Sequence, residues 1–237
     1  MKTVSRSISW PGYLAITLLA ILPLSVLTVR SGSWQQGLML YALACTVSAL
    51  LLIWFCVAFA LPWFRSQRAA IIRFGAVCLP GTVLLALAMS GGNAPPIHDI
   101  TTDVIDPPRF SETMVDARGE DANPLTIDTE VLEQQMLAYP DMQTLVSEMS
   151  IRDTFEYSEQ IAADLGWEII NADLNAGIIE AVATTGVMGF KDDVIIRVRS
   201  NADGTLVDLR SVSRVGVSDL GANAERIRTF REAFRQG

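Results

Sequence analysis

The chain has 237 residues, with 18 basic residues, 26 carboxylates and one histidine, for a formal charge of −8. That average hides two unlike halves: Asp99 is the first carboxylate, so the first 98 residues carry +6 and the remainder carries −14. A −14 portion excludes an electrostatic nucleic-acid binder, and the lone histidine excludes a two-histidine zinc site or a paired haem ligation.

In chain order, three charge-free apolar stretches come first, at residues 12–29, 38–61 and 74–90. At about 1.5 Å per residue they reach roughly 25–36 Å, against a hydrocarbon core of about 30 Å. They predict three transmembrane helices, with residues 1–90 as a membrane anchor and the lipid bilayer as its partner. Pro23 and Pro80 fall within the first and third, as membrane helices tolerate. Lys2 and Arg6 precede the first stretch, Arg30 follows it, and Arg65, Arg68 and Arg73 lie between the second and third. Basic flanks stay in the cytosol. The N-terminus is therefore expected to be cytoplasmic, with the acidic half periplasmic on the bacterial inner membrane. The residues after the first stretch lack a small-x-small site, so it reads as an anchor rather than a cleaved signal. No intramembrane carboxylate or histidine marks a conduction path. Cys45, Cys56 and Cys78 all fall in the apolar half, so the remainder has neither disulfide framework nor thiolate chemistry.

Residues 91–128 read as an extended strap and acidic loop, because Pro95-Pro96 and Pro107-Pro108 impose extended backbone at and before each proline. Residues 129–237 then read as one α+β domain packed with the strap: an antiparallel sheet of about four strands covered by helices. Asp128 or Thr129 caps a helix ending before Pro140, and apolar residues at helical spacing place another over 152–165, stopped by Gly166. Strands follow at 167–172, 178–185, 193–200 and 205–213. A turn over 201–204 sets Ser200 opposite Thr205, Val198 opposite Val207, Ile196 opposite Leu209 and Arg197 opposite Asp208. A slip of one residue would destroy both the apolar and the charge matches. Asp219 or Ser218 caps a final helix of about 219–235.

Several blocks in order resemble a known family: Pro95 to Asp103 with Asp106-Pro107-Pro108, Tyr139-Pro140-Asp141, Gly166-Trp167-Glu168-Ile169, Gly189 to Asp193, and Arg210 to Gly216 through Asp219 to Asn223 with Arg226-Ile227-Arg228. They resemble the uncharacterised bacterial and plastid family known as domain of unknown function fourteen-ninety-nine, over residues 95–235. The resemblance implies one domain in a bacterial envelope or plastid compartment and no assigned activity. Val187-Met188 stands where that family often has an aromatic pair.

The candidate binding set is His98, Asp99, Thr101, Thr102 and Asp103 of the strap with Arg197, Arg210, Ser211, Ser213 and Arg214 of the last two strands. Arginines from paired strands, joined by Arg199, can gather an anion in an otherwise acidic domain. The ordinary alternative is structural ion pairing, for which Asp208, Asp192 and Asp219 are the expected carboxylates. Asp192 and Asp193, adjacent in a strand, point to opposite faces and so do not form a shared acid/base pair. With no phosphate loop, dinucleotide fingerprint or serine elbow, the expected function is a non-enzymatic envelope protein that binds a protein partner or a small anionic ligand, with no metal and no cofactor. The alternative is an envelope hydrolase or transferase in which His98 is the base, Asp99 or Asp103 orients it, and the arginines hold an anionic substrate.

Overall fold

The computed structural model describes residues 4–90, 94–119, 121–202 and 204–236. Lys2, the first strap residues 91–93 and Asp203 of the predicted turn lie outside them. The chain divides into two compact units: Met1–Gly92 with Val187–Gly189, and Asn93–Gly186 with Phe190–Gly237.

The first unit contains α1 (Arg6–Arg30), α2 (Trp34–Ala60), a 3-10 turn (Pro62–Gln67) and α3 (Arg68–Ser90). All three helices are long and apolar enough to cross a membrane. α1 and α3 outrun their charge-free stretches because arginines occupy helix ends as readily as loops, and α2 begins four residues earlier than its stretch, at Trp34. Close packing relies on small residues: a Cβ on Gly37 would meet α1 backbone at Val29 and Ser25 within 2.8 Å, and one on Gly81 would meet Ser48 of α2 at 2.7 Å. The outward surface keeps Leu19, Met39, Leu50 and Leu87 exposed. Helices apolar on every side leave no face suited to water.

The second unit contains β1 (Asp99–Thr101), α4 (Glu112–Asp116), α5 (Thr129–Ala138), β2 (Leu145–Ser147), α6 (Ile151–Asp164), β3 (Glu168–Asp173), β4 (Ile178–Thr184), β5 (Lys191–Asn201), β6 (Gly204–Ser213) and α7 (Ala222–Gln236). Its antiparallel sheet has six strands, in the order β1-β6-β5-β4-β3, with β2 also paired to β6. The expectation of about four is corrected by β1 and β2. Both lie along one edge of β6, β2 against Thr205–Val207 and β1 against Arg210–Val212. A three-residue strand is too short to show a period, and its partner supplies the register. The predicted hairpin register is the observed one, Val198 with Val207, Ile196 with Leu209 and Arg197 with Asp208, and pairing extends to Asn201 with Gly204.

Local signals explain the helices. Asp128 accepts from Glu130 N at 2.9 Å at the start of α5, and Ser150 accepts from Asp153 N at 3.2 Å at the start of α6. Asp219 accepts from Gly221 N at 2.8 Å and from Asn223 N at 2.6 Å, using both carboxylate oxygens to cap α7. Gly166, with φ +77°, ends α6 in the left-handed region open to glycine. Phe155, Ile161 and Ala162 of α6 and Ala224, Ile227, Phe230 and Phe234 of α7 cover Val194, Ile196, Val198, Val207 and Leu209. Each large side chain buried there contributes roughly 1.5–3 kcal/mol.

Candidate functional site

Strand alternation gives the sheet a second inner face. Opposite the helices lie Glu180 of β4, Asp193, Ile195 and Arg197 of β5, and Asp208, Arg210 and Val212 of β6. Residues 102–119 and 121–128, with α4 among them, cover this face, and Met114 is fully buried there. Glu180, Asp193, Asp208 and Arg210 are at most 1% exposed, so the face is a polar interior rather than a wet surface. Buried groups of this kind persist only when paired.

The pairing is extensive. Arg210 grips Asp99 through both carboxylate oxygens, at 3.0 and 2.6 Å, and donates to Pro108 O and Leu125 O at 3.2 and 3.0 Å. Arg197 meets Asp103 at 3.1 Å, Asp106 at 2.9 Å and Asp208 at 2.9 Å. Arg199 joins Asp103 and Asp208 at 3.0 and 2.9 Å, and the Asp208 hydrogen bond raises its pKa. The side-chain carboxylate of Glu180 accepts from Ser111 N, Ser111 Oγ and Asn171 Nδ2, at 2.6, 2.5 and 2.9 Å. At the far end, Asp193 lies between Arg214, which donates to Oδ1 at 2.9 and 2.7 Å, and Arg118, whose Nε is 2.6 Å from Oδ2.

The residues singled out in the sequence therefore fall into separate groups. Asp103 comes together with Arg197, and Asp99 with Arg210, while Arg214 sits with Asp193. Ser211 and Ser213 point to the helix-covered face. Ser211 Oγ donates to Asn223 Oδ1 at 2.6 Å and accepts from Arg226 at 2.9 Å, and Asn223 Nδ2 donates to Ser213 Oγ at 2.9 Å. Arg226 also pairs with Asp192, so Asp192 and Asp193 serve opposite faces as alternation requires. Asp219 beside this cluster has its pKa raised by burial, although its two backbone donors and Arg226 pull the other way.

Thr101 and Thr102 act on backbone. Thr102 N donates to Leu209 O at 2.8 Å, and its Oγ1 accepts from Leu209 N at 2.8 Å. Gln135, 1% exposed, closes the other side of β1: its amide accepts from Thr101 N at 2.9 Å and donates to Thr101 O at 2.7 Å. His98 is half-buried, and its carbonyl accepts from Ser213 N and Asn223 Nδ2 at 2.9 and 3.0 Å. Among the described residues neither Asp99 nor Asp103 hydrogen-bonds its ring, and no group of three or more His, Cys, Asp or Glu is placed to hold a metal.

Sequence reasoning missed Arg118, Gln135 and Asn223, which lie in stretches where polar residues are unremarkable. Glu180 carried a signal, as the single charge in the apolar run of β4.

The class these features define is an α+β domain with a polar inner face sealed by its own N-terminal strap, preceded by three apolar helices. The model of the family described as "Protein of unknown function (DUF1499)" matches residues 99–234, more than half the chain, and the protein belongs to that family. No curated protein matches it.

Proposed function

We propose that the protein is a membrane-anchored binding protein whose soluble domain stands in the periplasm and engages a second envelope protein. The observation that carries this reading is that the arginines suited to an anion already have carboxylate partners. Arg197 and Arg199 face three carboxylates, Asp103, Asp106 and Asp208, so that end of the domain has a net charge of −1 rather than a cationic pocket. A free small anion at this end would have to displace a carboxylate already in place. A protein partner needs no such displacement, and Ile105, 94% exposed between Asp103 and Asp106, offers an apolar contact inside a charged rim.

The orientation rests on the arginine flanks of the three helices. The hydrolase or transferase alternative, with His98 as base, requires Asp99 or Asp103 to turn to His98. Turning Asp99 takes the carboxylate from buried Arg210, and breaking a buried pair from one side costs about 3–5 kcal/mol. Turning Asp103 gives up its pairs with Arg197 and Arg199. The binding reading is therefore preferred.

Two measurements test it. A reporter active only after export, fused behind residue 236, should be active, and activity only for a cytosolic reporter refutes the orientation. A photo-crosslinking amino acid at position 105 should trap one discrete adduct in cells that the same group at exposed Glu156 does not. Identical patterns from both positions refute the partner surface.

A further inference from the structure

Residues 115–119 and 121–125 border an open cavity of about 520 Å³ on the strap side of the domain, lined by Val115, Asp116, Arg118, Ala122, Pro124 and Leu125. Arg118 is only 7% exposed, and among the described residues its Nη2 has no hydrogen-bond partner. A buried guanidinium left in this state costs stability unless a further acceptor arrives.

The charge count points the same way. Arg118 and Arg214 share one carboxylate, Asp193, whereas Arg210 has Asp99 to itself. Among the described residues, one buried positive charge therefore remains uncompensated. Burial, with the nearby charges of Arg214 and Arg210, lowers the pKa of Arg118 against the opposing pull of Asp193. Asp116 also lines the cavity, but it is exposed, and water and salt screen it.

The wall is held in place in advance. Asn123 N donates to Arg214 O at 2.7 Å, and its Nδ2 donates to Ser213 O and Gly216 O at 3.0 and 2.8 Å. Arg210 holds Leu125 O from behind. A prepared wall spares a ligand much of the ordering cost. The volume exceeds what a bare inorganic ion fills and falls within the range of small-molecule sites, while Val115, Ala122, Pro124 and Leu125 offer it apolar surface.

We propose that this cavity binds a small organic anion, with the carboxylate or phosphate head on Arg118 and an apolar body against Val115, Pro124 and Leu125. The site is separate from the partner surface around Ile105, and the failure of one leaves the other standing.

The test uses the full chain in detergent micelles. Phenyl phosphate and phenylacetate serve as probes, with neutral benzyl alcohol to report partition into the micelle, and binding is followed by calorimetry. Saturable binding of at least one anionic probe is expected, with little from benzyl alcohol. Arg118→Gln should weaken it by roughly tenfold or more, the worth of a charge-assisted hydrogen bond. Ala122→Leu, which narrows the cavity and leaves every ion pair intact, should weaken it as well and decides the matter if Arg118→Gln does not fold. No saturable binding up to millimolar probe, or binding unchanged in the variants that fold, overturns the proposal.

Discussion

Replacing Arg210 by methionine keeps most of the side-chain volume and deletes the charge with its donors. The wild-type side chain is 1% exposed and satisfies four acceptors: both oxygens of Asp99, Pro108 O and Leu125 O. Its loss leaves Asp99, whose side chain is 14% exposed, as a largely buried carboxylate without a counter-charge. Breaking a buried pair from one side costs about 3–5 kcal/mol. For a domain of this size that corresponds to a fall of roughly 10–20 °C in Tm. The assay is thermal unfolding of the full chain in detergent, with hydrogen exchange across residues 99–128 to show that the strap is what loosens. Adding Asp99→Asn to Arg210→Met should recover part of the loss, because the stranded charge is gone while the two carbonyls still lack a donor. A single variant within about 1 kcal/mol of wild type, or a double-mutant cycle with no coupling, would refute the claim that this pair pins the strap.

Gln135→Leu should cost about 2–4 kcal/mol, because both backbone groups of Thr101 lose their partner. Hydrogen exchange at Thr101 should accelerate, and unchanged protection there counts against it. Gly177 has φ +66°, and an added Cβ would lie 2.1 Å from Val198 O, so Gly177→Ala should destabilise by at least about 2 kcal/mol in chemical denaturation. Asp219 has a pKa raised by burial, so the folded state holds its proton more tightly than the unfolded chain does. Its contribution is complete below the ordinary value of 3.8 and is lost as pH rises through the raised value. Asp219→Asn keeps a capping oxygen and removes the titration, so stability should vary less with pH across that window. An identical slope in the variant refutes the assignment.

Much of this molecule is legible in its sequence. Three helices able to span a bilayer follow from unbroken apolar runs of membrane length. The β5–β6 register follows from an alternation in which apolar and charged matches must hold together. The Asp219 cap could also be read locally, since a capping oxygen acts on backbone only a few residues ahead. Each of these is a property of neighbours along the chain.

Tertiary structure alone decided the rest. β1 and β2 exist because β6 offers them unpaired backbone, and three residues have no period of their own to announce it. The sharing of Asp193 by Arg118 and Arg214 joins segments far apart in sequence. Arg197 and Arg210 looked available for a ligand because the chain contains many carboxylates and does not say which arginine each one meets. Coulomb pairing depends on distance in space, and only the docking of the strap over the second face of the sheet sets those distances.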